Sequence, residues 1–133
     1  MTQIGQGVFG IVYKVEDVKS KKIYALKLLK SIYNIKQVSR YVDVLKILNT
    51  SPLFLNVYKT KKVGSQVYIL MDYVEGKNLC KMVRQKAFTK NEALKVITDM
   101  LDSLEFLEHH NIIHGDIKAE NVLKKWKIQT YRF

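Results

Sequence analysis

Three glycines within six residues constrain this chain more than any other feature: Gly5-Gln6-Gly7-Val8-Phe9-Gly10. Apolar residues flank the string, and Ile11-Val12-Tyr13 continues with the alternation of a strand. The glycines therefore join two strands, one ending near Ile4 and one running from Ile11 to Val15. A dinucleotide-binding glycine string would instead open a helix. Glycine at such a turn lets backbone N–H groups approach an anionic oxygen with no β-carbon in the way. Taken alone, the string also fits an ordinary glycine-rich hairpin.

Further elements follow from periodicity. Ile23-Tyr24-Ala25-Leu26-Lys27-Leu28-Leu29 reads as a third strand, with Val18 to Lys22 as the turn before it. Val38, Val42, Leu45 and Leu48 have helical spacing, and Asn49-Thr50-Ser51-Pro52 ends that helix. Val57–Lys61 and Val67–Tyr73 read as two more strands joined through Gly64-Ser65. Thr89-Lys90-Asn91-Glu92 forms a capping box for a helix running to about His110. Its stripe of Leu94, Ile97, Leu101, Leu104 and Leu107 is expected in the core. Ile112-Ile113-His114 then reads as a short buried approach to the next loop.

The 133 residues suffice for one modest domain, and a hydrophobic content of 47% argues against disorder. Twenty-three Lys and Arg against twelve Asp and Glu give a net charge of +11. The lysines occur in short groups such as Lys59, Lys61 and Lys62, without interleaved aromatics, as on solvated faces. No specific nucleic-acid partner is expected from that pattern. Cys80 is the only cysteine, which excludes an intrachain disulfide and fits a reducing cytoplasmic or nuclear home. The N-terminus lacks a signal-peptide pattern and no apolar run is long enough to span a membrane, so no membrane partner is expected.

His114-Gly115-Asp116-Ile117-Lys118-Ala119-Glu120-Asn121-Val122-Leu123 completes the picture. It resembles the catalytic loop of protein kinases, as the glycine string resembles their phosphate-covering loop and Ala25-Leu26-Lys27 their phosphate-binding strand. The resemblance implies an α+β protein-kinase-like fold. A five-stranded antiparallel small lobe with one helix and the hinge would occupy 1–74, and the start of the helical large lobe 75–133. It also implies ATP and Mg2+ as cofactors and a protein substrate bearing a Ser or Thr hydroxyl. Gly5, Gly7 and Gly10 would cradle the phosphates with Phe9 as a lid, and Lys27 would neutralise phosphate charge. Ile4, Val12 and Ala25 would line one face of adenine and Leu123 the other. Met71 would be the gatekeeper, Asp72 the first hinge residue, Tyr73-Val74 the adenine-bonding backbone, and Asn78 a ribose contact. Asp116 would accept the substrate's proton, Lys118 would steady the transferring phosphate, and Asn121 would hold Mg2+. His114 reads better as a packed core residue than as a base.

Three positions depart from the family pattern. Tyr41 falls where kinases carry the helix glutamate that positions the lysine, and Asp43 points elsewhere. Gly115 replaces a common arginine, so a phosphorylated activation loop could not be read there. No aspartate of an Asp-Phe-Gly motif follows Asp116 in the residues through Phe133, where Arg132-Phe133 stands. On that ground the domain reads as truncated, and the chain alone is expected to transfer phosphate poorly. The alternative reading is a non-catalytic kinase-like module that binds and modulates another kinase or a regulatory protein. A third is a small-molecule phosphotransferase, which Gly115 fits better, whereas Lys118 and the full glycine loop with Phe9 fit protein kinases better.

Overall fold

The computed structural model describes residues 1–7, 10–29, 35–85 and 88–123. Phe9 and the 124–133 segment, on which two of the expectations above fall, lie outside the described residues. The chain divides into two compact units. Met1–Lys46 with Asn56–Tyr73 forms the first, and Ile47–Leu55 with Val74–Phe133 the second.

The first unit is built on one antiparallel sheet of five strands. They are β1 Thr2–Gly7, β2 Gly10–Glu16, β3 Ile23–Leu29, β4 Val57–Val63 and β5 Gln66–Asp72, in the order β1-β2-β3-β5-β4. β3 has the expected bounds, whereas β1 and β2 extend into the glycine string from both sides, pairing Gly7 with Gly10. Between Gln3 and Gly5 the register shifts, making Ile4 the extra residue of a bulge. Alternate residues of the strands face inward, as a sheet with one covered face requires. Val12, Ala25, Lys27, Leu29, Val67, Ile69 and Met71 are all buried. Between β2 and β3, Asp17 accepts hydrogen bonds from the backbone N–H groups of Lys19 and Ser20 and from the Ser20 hydroxyl. These bonds hold its carboxyl below the usual range, the Ser20 backbone contact most of all. α1, Ile35–Leu48, starts three residues earlier than Val38 and buries Tyr41, Leu45 and Leu48 along one stripe.

In the second unit α2 spans Leu79–Gln85 and α3 spans Lys90–His109. The capping box is formed: Glu92 N–H donates to Thr89 Oγ1 at 3.2 Å, and Thr89 N–H donates to Glu92 Oε2 at 2.9 Å. The other end closes in a Schellman motif, with Asn111 at φ +54 in the left-handed position. Asn111 N–H donates to the Glu108 carbonyl and Ile112 N–H to the Leu107 carbonyl, each at 2.9 Å.

The expected core stripe of α3 requires correction. Leu107 is buried, but Leu94, Ile97, Leu101 and Leu104 are exposed, Leu101 to 60%. The packed side carries Val96, Ser103 and Leu107, roughly a third of a turn away at 100° per residue. Phe106 supports that side by contacting Phe54 with ring centroids 5.5 Å apart. Ser103 hid the packed side from the pattern; its hydroxyl is buried only because it donates to the Asp99 carbonyl at 2.7 Å within the same helix. Ile113 is likewise exposed, to 89%, rather than part of a buried approach.

Candidate functional site

The two units each hold one group of the predicted site residues. In the first, the glycines differ in what they do. A β-carbon at Gly10 would lie 2.2 Å from the Leu28 carbonyl oxygen, so β2 and β3 can pair here only around a glycine. A β-carbon at Gly7 would meet no described atom within 4 Å beyond its chain neighbours. Gly10 thus permits the close approach of β2 and β3, while no described residue crowds Gly7.

Lys27 sits at the centre of this unit. Its strand neighbours are Val12 on β2 and Ile69 on β5, both apolar and buried. The side chain is 1% exposed, and burial pushes its pKa down to about 8. The ammonium donates to the Tyr41 hydroxyl at 3.3 Å and lies 5.5 Å from the centre of the Tyr41 ring. Asp43, one turn-face away, is exposed and pairs with Lys46 at 3.2 Å. Tyr41 therefore does more than mark a missing glutamate: it is a direct partner of Lys27.

At the end of β5, Met71 is buried and half-buried Asp72 uses its carboxylate locally. Its Oδ2 accepts from Asn56 N–H at 3.1 Å and its Oδ1 from the Tyr58 hydroxyl at 2.7 Å. Ala25 and Val12 are buried, while Ile4 is 48% exposed on its bulge.

In the second unit, the His114 to Leu123 segment forms a tight loop. Gly115 has φ +73, the left-handed conformation that favours glycine. His114 is buried, as a packed histidine would be, and its Nδ1 accepts from Asp116 N–H at 3.3 Å. The Asp116 carboxylate Oδ2 receives Lys118 Nζ at 3.2 Å and Asn121 Nδ2 at 3.1 Å. Asn121 Nδ2 also donates to the Asp116 carbonyl at 2.7 Å, from the 3-10 turn Ala119–Asn121. With its amide nitrogen turned to Asp116, buried Asn121 keeps its side-chain oxygen as the atom suited to a hard cation. Asp116, Lys118 and Asn121 are thus brought together as one cluster.

Asn78 carries a role that the sequence reading missed. Its Oδ1 accepts from Lys81 N–H at 3.0 Å, capping α2. It also bridges to Leu123, and Leu79 N–H donates to the Val122 carbonyl at 2.7 Å. An Asn just before Leu79-Cys80-Lys81 is a recognisable start signal, but the helix is too short for periodicity to reveal it.

A profile of the protein kinase domain matches residues 1–130. The chain belongs to the protein kinase family. This kinase chain is 31% identical over 90% of its length to a probable serine/threonine-protein kinase of Dictyostelium discoideum, covering 27% of that relative. It is 32% identical to the cAMP-dependent protein kinase catalytic subunit of the same organism, over 90% of its length and 19% of the relative's. With serine/threonine-protein kinase PAK 1 of Mus musculus the identity is 30%, over 91% of the chain and 22% of the relative. The chain spans less than a third of the length of each. Its five-stranded sheet and following helices fit the small lobe and the start of the large lobe of that family. Among the described residues no helix is long and apolar enough to cross a membrane.

Proposed function

We propose that this chain carries the nucleotide-binding and catalytic-loop parts of a serine/threonine kinase, binding Mg-ATP and directing its γ-phosphoryl group to a protein hydroxyl. The observation that carries the reading is the Asp116 carboxylate bracketed by Lys118 and Asn121. In this reading Asp116 accepts the proton of a Ser or Thr hydroxyl as that oxygen bonds to the γ-phosphorus. The bond from phosphorus to the β,γ-bridging oxygen breaks, and ADP leaves with its electron pair. Lys118 balances charge on the moving phosphoryl group. Lys27 and the backbone around Gly7 bind the remaining phosphates. Asn121 would hold Mg2+ through its side-chain oxygen, a hard ligand suited to that ion. The ion would supply positive charge against that of the phosphates.

Thermal melting with and without Mg-ATP tests this, because a ligand that binds the native state raises the midpoint by mass action. A midpoint that rises in the wild type and not in Lys27→Met supports it; the chain alone is expected to transfer phosphate to a protein poorly, and what transfer it shows should stop in Asp116→Asn. A cooperative transition indifferent to Mg-ATP would leave the reading without its first step. The exposed apolar face of α3 favours the second reading, a module that docks on a partner, and that result would strengthen it.

A further inference from the structure

We propose that Tyr41 is the positioning residue for Lys27, its hydroxyl and ring together holding the ammonium where β3 leaves it. The inference rests on the nucleotide reading for its purpose, but the contact can be tested without nucleotide. An ammonium that is 1% exposed among apolar strand neighbours needs a partner that replaces water. Tyr41, itself 2% exposed, offers two. The hydroxyl oxygen accepts a hydrogen bond at 3.3 Å, and the ring face lies 5.5 Å from the nitrogen, within the range of a cation–π contact. Tyr41 reaches this place because it shares the buried stripe of α1 with Leu45 and Leu48 at helical spacing.

The consequence differs from that of a carboxylate. A phenol attracts the ammonium without neutralising it, and burial is left to depress the lysine's pKa. Among the described contacts, Lys27 pairs beside Val12 on β2 and Ile69 on β5 and donates to Tyr41 on α1. Asp43, the nearest acid along α1, is turned to solvent and Lys46. Phosphate charge arriving at Lys27 would therefore meet a lysine not already neutralised by Tyr41, and its binding should draw a proton onto that lysine near pH 8.

The test follows the Lys27 side-chain signal by NMR with 13C-labelled lysine, assigned by its loss in Lys27→Met. In Tyr41→Phe the titration midpoint should fall by about one pH unit, because the hydroxyl that favours the charged form is gone. In Tyr41→Glu it should rise above the wild-type value, and either variant alone decides the matter if the other fails to fold. In parallel, calorimetry at pH 9, above both midpoints, should show Mg-ATP binding about tenfold weaker in Tyr41→Phe, about one pKa unit's worth. Tyr41→Glu should restore it. Wild-type affinity should decline between pH 7 and pH 9, a dependence absent from Lys27→Met. A Lys27 midpoint that is unmoved in both Tyr41 variants overturns the positioning role, whatever happens to nucleotide binding. A wild type that ignores Mg-ATP while the midpoint still moves supports the positioning role and overturns the nucleotide reading alone.

Discussion

The two units break the usual division of polar outside and apolar inside in opposite directions. The first buries a charged amine in the middle of an apolar sheet, and the second turns four large apolar side chains of α3 to water. Both arrangements cost free energy in the isolated chain, by desolvation in one unit and by exposed apolar area in the other. Buried charge and contiguous exposed apolar surface are the observations that carry information, because ordinary packing explains neither. In the first unit the cost attaches to a single residue with a described partner, Tyr41, which is why it supports a specific chemical proposal. In the second the cost is spread along a helix face.

The sharpest way to break the comparison is within α3. Leu107→Ala removes a packed side chain and should lower stability by about 2–5 kcal/mol in denaturant unfolding. If it proves neutral, α3 is not held by the side described here.

Next in size is the buried amine. The folded pKa of Lys27 is about 8 against an ordinary 10.5, so the unfolded chain binds the extra proton between those values. This group's contribution to stability should therefore rise as pH goes from about 8 to about 10.5, by up to about 3 kcal/mol. Lys27→Met should abolish that rise and be more stable than wild type at pH 7. Unfolding curves at pH 7, 9 and 10.5 for both proteins decide it, and a flat difference between them would refute the burial cost.

Smaller still is the contrast between two glycines of one string. Gly10→Ala should cost about 1–3 kcal/mol, since backbone must shift to admit a β-carbon, whereas Gly7→Ala should scarcely alter folding. If phosphates approach at the outer side of the turn, Gly7→Ala should instead weaken Mg-ATP binding. The least effect is expected for Leu101→Ser on the exposed α3 face, within about 0.5 kcal/mol, while reducing any self-association seen by light scattering. Equal losses from Leu101→Ser and Leu107→Ala would erase the distinction between the two sides of the helix.

Much of this was legible in the sequence, for reasons that differ by region. β3 was readable because an apolar run bounded by polar residues has one sensible strand assignment. The α3 start was readable because Thr89 and Glu92 satisfy each other's backbone donors within four residues. The packed side of α3 was not, because hydrophobic spacing counts methyl groups and cannot see that Ser103 satisfies its own hydroxyl. The Asp116–Lys118–Asn121 cluster lay within six consecutive residues, whereas the Lys27–Tyr41 contact joins residues fourteen apart on different elements. Local patterns report local geometry; the partner of a buried lysine is a fact of tertiary packing.

Asp72 has a consequence for how inhibitors would fare. Its carboxylate is held by Asn56 and Tyr58. If the proposed nucleotide site includes the end of β5, a compound anchored there would thus engage peptide groups rather than that acid. Peptide groups are the same whatever residue bears them, so resistance by single substitutions at the anchoring point would be hard to select. In that reading bulk at Met71 is the other route, and there a larger side chain has a packed interior to displace.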